Sequence, residues 1–130
     1  MIKEEHIRYW LDSAAHDFET AEALFESRKY DWCLFIGHLV LEKTLKALYV
    51  KDTENQTPPR IHNLVKIAEK TKLQLNEEQR IFLDEVNDFN IEIRYPDFKL
   101  TFQIKCTEEY TKTRFLKIKK YYIWLRSLVK

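Results

Sequence analysis

The chain has 130 residues, a length that suits a single domain spanning residues 1–130 around one core. Hydrophobic residues make up 45% of it and charged residues 33%, and there is one glycine, a balance that favours helices over a turn-rich β fold. A net charge of +1 at pH 7 gives no bulk-charge argument for nucleic acid or membrane as a partner, and no apolar run approaches the length that spans a bilayer.

The first element reads as a helix from Lys3 to Ser27. Ile7, Leu11, Ala14, Phe18, Ala21 and Phe25 recur at three- and four-residue spacing, with Arg8, Asp12, Glu19, Glu22 and Glu26 on the opposite side. Glu4 and Glu5 at its start, and Arg28 and Lys29 at its end, suit the helix dipole. The opening MIKEEHIRYW is charged early and has no signal-peptide core. With two sparsely placed cysteines, Cys33 and Cys106, that pattern points to reduced thiols and a cytoplasmic protein.

The second helix, from Asp31 to Lys51, is apolar nearly all round in its first half. Such a helix is surrounded by others, so a central position is expected. Gly37 suits a close approach to a neighbour. His38, Glu42 and Lys46 stand four apart along one face, where they either form an internal hydrogen-bonded network or line a polar pocket.

The connection KDTENQTPPR is polar, and Pro58 and Pro59 end any helix before them. A short helix from His62 to Lys70 follows, with Leu64, Val65 and Ala68 facing inward. His62 at its start is either a cap or solvated residue, or a functional one. Asn76, with Gln79 three residues on, reads as a capping box. The helix it opens runs to Glu92, with Phe82, Val86, Phe89 and Ile93 as its apolar stripe and Glu77, Glu78, Asp84, Glu85, Asp88 and Glu92 on an acidic outer face.

Pro96 stops that helix. Lys99–Cys106, KLTFQIKC, alternates polar and apolar, which is a strand period. A lone strand needs a partner, so an ordered loop, a helix extension and pairing across a dimer all remain open. Thr107 caps the last helix, whose core stripe is Phe115, Ile118, Tyr122, Leu125 and Val129. Lys105, Lys112, Lys119, Arg126 and Lys130 fall near one face beside Tyr121, Tyr122 and Trp124, either a solvated row or a track for a phosphate backbone. The expected fold is all-α, an antiparallel up-and-down bundle of four to five helices.

The chemistry-bearing residues are few. Four histidines show no clustering with each other or with cysteine, so no metal site is expected. One glycine excludes a glycine-rich phosphate loop, and neither a Ser–His–Asp arrangement nor a cofactor motif is present. Four segments in order carry a resemblance: WLDSAAHDFETAEALF from Trp10, LVLEKTLKALYV from Leu39, IHNLVKIAE from Ile61, and RYPDF from Arg94. Together they resemble the HEPN domain family over nearly the whole chain.

The resemblance implies a helical bundle that pairs as a homodimer, and a role as a ribonuclease or toxin, or as the companion of a minimal nucleotidyltransferase in a two-protein toxin–antitoxin system. Ribonuclease members carry an Arg followed four to six residues later by His. Arg94 matches the Arg, but Tyr95, Pro96, Asp97, Phe98, Lys99 and Leu100 follow, with no His among them. The expected role is therefore a nucleotide- or RNA-associated partner rather than an enzyme, with an unusual endoribonuclease or a purely structural dimerisation module as alternatives. Arg94, Tyr95, Asp97, His62 and Lys46 are the candidate binding residues. Arg94 offers parallel donors to a phosphate, Tyr95 a ring for stacking, and Asp97 an acceptor. A structural alternative pairs Arg94 with Asp97 or a neighbouring acid across the turn at Pro96.

Overall fold

The computed structural model describes residues 2–54 and 57–130; residues 55 and 56, inside the polar connection, lie outside the described residues, as does Met1. Six helices follow one another among the described residues: α1 Lys3–Glu26, α2 Tyr30–Asp52, α3 Leu64–Glu69, α4 Glu77–Arg94, α5 Pro96–Lys105 and α6 Glu108–Val129. The all-helical bundle expected from the sequence is the one observed, with one helix more than expected.

Helix α2 is central. It packs against α1, α3, α4, α5 and α6, and Cys33, Leu34, Val40, Leu41, Leu45, Ala47 and Val50 are fully buried along its length. Gly37 permits this: a Cβ built there would lie 2.9 Å from Ile118 Cδ1, so the bare backbone lets α6 settle against α2.

Side-chain pairs fix the helix directions. Lys3 Nζ at the start of α1 donates to the Thr53 carbonyl just past the end of α2, so these two helices run antiparallel. Phe18 stacks on Tyr122 at 5.1 Å, and Phe25 on Phe115 at 6.0 Å, so α1 and α6 also oppose each other. Phe82 meets Tyr121, and Arg114 meets Glu85, so α4 runs against α6. The long helices therefore alternate up, down, up, down, burying a main core and a smaller cluster of Ala47, Leu48 and Val129.

The ends obey local rules. Asn76 Oδ1 accepts from Gln79 N at 2.8 Å and Gln79 Oε1 from Asn76 N at 3.0 Å, the reciprocal capping box predicted for α4. Thr107 Oγ1 accepts from Tyr110 N at the start of α6. At the end of α1, Lys29 N bonds to Leu24 O and Arg28 N to Phe25 O, a Schellman closure. Arg28 occupies its left-handed position with φ 61°, where glycine is the usual residue.

Lys99–Cys106 corrects the period reading. The segment is helical to Lys105: Tyr95 takes the extended conformation favoured before proline, and Pro96 opens α5 at its first turn. In a strand Leu100, Phe102 and Ile104 would share a face. In α5 they separate. Phe102 is 1% exposed and stacks on Phe89 at 5.7 Å, while Leu100 and Ile104 are 66% and 70% exposed. One buried aromatic anchors the helix, and its other three large apolar residues, Phe98, Leu100 and Ile104, are exposed.

Candidate functional site

The site grows from a polar run buried between α2 and α4. His38 is fully buried. Its Nε2 lies 2.9 Å from the carbonyl oxygen of His62, which can only accept, so Nε2 carries the proton. Nδ1 is then an acceptor, and Asn90 Nδ2 donates to it at 3.3 Å. Asn90 Oδ1 in turn accepts from Arg94 Nε at 2.7 Å. The hydrogen bonds thus point one way, from Arg94 through Asn90 and His38 to the backbone of His62. Burial holds the His38 pKa down to about 4, against the opposing pull of Glu42, so the ring is neutral at neutral pH.

A second branch starts at the His62 side chain. Its Nδ1 lies 3.0 Å from Glu42 Oε1, and Lys46 Nζ donates to Glu42 Oε2 at 3.0 Å. The Glu42 side chain is 6% exposed and that of Lys46 8%, whereas that of His62 is 60% exposed. Lys46 also lies 5.5 Å from the Trp10 ring centroid. An ion pair this enclosed holds because both carboxylate oxygens are satisfied.

The connection before α3 is pinned from α4. Asn87 Oδ1 accepts from Leu64 N at 2.8 Å, and Asn87 Nδ2 donates to Asn63 Oδ1 at 3.1 Å. Asn63, not His62, is the cap of α3. His62 is thereby freed from capping and held with its carbonyl inward and its ring between Glu42 and solvent.

Of the five candidate residues, the structure joins Arg94, His62 and Lys46 through Asn90, His38 and Glu42. Lys46 is enclosed, its ammonium committed to Glu42. Tyr95 and Asp97 are exposed and lie outside the network. Arg94 forms no ion pair with Asp97 or a neighbouring acid among the described residues, so the structural alternative of a pairing across the turn gives way to the bond to Asn90. Arg94 also places its guanidinium 5.3 Å from the Phe35 ring centroid. Asn90 was missed by sequence reasoning. Its signal was a polar residue in the buried run of α4, four before Arg94.

The basic row of the last helix is divided. Lys105 ends α5 and covers the Tyr110 ring, while Lys112, Lys119, Arg126 and Lys130 belong to or follow α6. Lys119 and Arg126 lie over Phe18 and Tyr122, and no member of the row forms an ion pair among the described residues. Both cysteines are buried free thiols whose pKa burial pushes up to about 12, which leaves them unreactive. Among the described residues no group of three or more His, Cys, Asp or Glu side chains is placed to hold a metal ion, and no helix is long and apolar enough to cross a membrane.

A family model, the HEPN domain, matches residues 7–126, nearly the whole chain. No curated protein and no solved structure matches it.

Proposed function

We propose that this chain, which belongs to the HEPN domain family, binds phosphate groups of RNA or nucleotides where Arg94 leaves α4, as a partner protein rather than a self-sufficient enzyme. The family supports a nucleotide- or RNA-related role in general. The observation that carries the reading is the state of Arg94. Its Nε is fixed to Asn90 and its Cζ lies 5.3 Å from the Phe35 ring centroid, while its terminal nitrogens have no protein acceptor among the described residues. A guanidinium held on one edge and open on the other is pre-organised for an oxyanion. Tyr95, 55% exposed next in sequence, offers a ring to a base, and Asp97 an acceptor for a ribose hydroxyl.

Calorimetry with a panel of nucleotides and short RNAs tests this. Arg94→Lys keeps the charge and loses the planar fork, so it should weaken binding nearly as much as Arg94→Ala. Full rescue by lysine would reduce the site to a diffuse charge effect.

The partnership has two layers in this reading. Leu100 and Ile104 make α5 an outward apolar face suited to a second copy of the chain. A small nucleotidyltransferase is the second partner, on the strength of the family resemblance, in a toxin–antitoxin type pair. Co-purification of the untagged chain with a tagged minimal nucleotidyltransferase checks that layer; separate elution removes it.

A second reading has one observation in its favour. His62 Nδ1 donates to a buried carboxylate, which leaves Nε2 as an oriented base on a ring 60% exposed. That is a component of metal-independent RNA cleavage, in the absence of a histidine after Arg94. Cleavage of a labelled RNA in EDTA, lost in His62→Ala and reduced in Glu42→Gln, would favour it. No cleavage by the wild type rules it out.

A further inference from the structure

Some 25 Å along α4 from Arg94, at about 1.5 Å per residue, a different groove lies between the first turn of α4 and the middle of α6. Asn76, Glu78, Gln79, Lys117, Lys120, Tyr121 and Trp124 line about 370 Å³. Its polar groups are lopsided. The side-chain oxygens of Asn76 and Gln79 are taken by the capping box, which leaves their amide NH2 groups as donors beside the groove. The capping box leaves the N–H groups of Glu77 and Glu78 without a protein acceptor among the described residues, at the positive end of the helix dipole.

Tyr121 is the built part of the groove. It is 8% exposed, wedged against Phe82 at 4.6 Å and edge-on to Trp124 at 5.7 Å and 86°. Its hydroxyl has no hydrogen-bond partner among the described residues, although the side chain lines the groove. Burial and the Glu78 carboxylate raise its pKa, so it stays a donor throughout the neutral range. Lys117 and Lys120 form no ion pair among the described residues, even with Glu78 lining the same groove, and Lys117 is steadied by the Phe82 ring, 4.6 Å from its centroid. Trp124, half-buried, supplies an aromatic wall with an indole N–H.

We infer that this groove binds a small phosphate monoester carrying a planar ring. The phosphate would take the ammonium groups of Lys117 and Lys120, the Tyr121 hydroxyl and the free N–H groups of α4. The ring would lie against Trp124. Glu78 sets a limit on charge: it stands at the same mouth and opposes polyanions, which favours one phosphate over a polyphosphate. The inference is independent of the Arg94 site, which shares no residue with the groove.

The test uses phenyl phosphate as probe, with inorganic phosphate and phenol as comparators, followed by amide and indole NMR shifts of the full chain. Phenyl phosphate should saturably shift the Glu77 and Glu78 amides and the Trp124 indole N–H with a dissociation constant of about 1 mM, as befits a fragment. Tyr121→Phe, which keeps the packing, should weaken it roughly five-fold, and the exposed pair Lys117→Gln with Lys120→Gln about ten-fold or more. Trp124→Leu should weaken phenyl phosphate and leave inorganic phosphate unchanged. Arg94→Ala should change none of these, which separates this site from the one proposed above. Absence of saturable shifts at those three positions overturns the inference, as does unaltered affinity in Tyr121→Phe and the lysine pair together.

Discussion

Asn90 holds His38 and Arg94 at once: its Nδ2 donates to His38 Nδ1 at 3.3 Å and its Oδ1 accepts from Arg94 Nε at 2.7 Å. One buried amide therefore ties the neutral imidazole at the centre of the bundle to an arginine at its surface. The amide orientation follows from the arginine, which can only donate.

The first consequence is a pH dependence. His38 has a folded pKa of about 4 against an ordinary value of 6.5, because burial disfavours its charged form. Between those values the unfolded chain takes up a proton that the folded chain does not. This contribution to stability is complete above about pH 6.5 and is lost as pH falls to about 4, a total of about 3 kcal/mol. Urea unfolding at pH 7, 5.5 and 4 should show the loss, and His38→Gln should flatten it. An equal slope in the variant would assign the acid sensitivity elsewhere.

Removing one member of the enclosed ion pair should be costly. Lys46→Met keeps most of the volume but leaves Glu42, 5% exposed, with His62 as its remaining partner. A stability loss of about 3 kcal/mol is expected at pH 7, read as a lower urea midpoint. Unchanged stability would mean that His62 alone satisfies the Glu42 carboxylate.

The turn after α1 can be improved. Arg28 holds φ 61° and makes no ion pair among the described residues, so Arg28→Gly should relieve left-handed strain of about 1 kcal/mol and raise the melting temperature by several degrees. A lower melting temperature would show that the arginine side chain stabilises the turn by more than its backbone costs.

Much of this architecture was legible in the sequence because its signals are local. The three-to-four spacing of Ile7 to Phe25, the Asn76–Gln79 box and the Thr107 cap each act within a turn or two of chain. The α5 helix was not, because alternation in Leu100, Phe102 and Ile104 resembles a strand until tertiary packing selects Phe102 alone for the core. The site was half legible. Arg94, His62 and the His38–Glu42–Lys46 spacing stood out by residue type. What joins them is Asn90, 52 residues from His38 in sequence, and no periodicity reports a contact at that range.

The outward face of α5 gives a prediction about assembly. Leu100→Glu with Ile104→Glu should convert a dimer to a monomer of 15.9 kDa in light scattering at micromolar concentration, with little change in helix content, since both side chains are well exposed in one copy. A wild-type chain that is itself monomeric there would remove the dimer and the partner face together.

The most direct measurement of the central claim is fluorescence anisotropy of a labelled single-stranded RNA with wild type and Arg94→Ala, alongside the melting temperature of each. The account predicts about ten-fold weaker binding in the variant, or more, with a shallower salt dependence and a melting temperature within a degree or two, because Arg94 is exposed and its bond to Asn90 can pass to water. A variant that binds RNA as well as wild type but melts several degrees lower would contradict it, and would make Arg94 a support for the bundle.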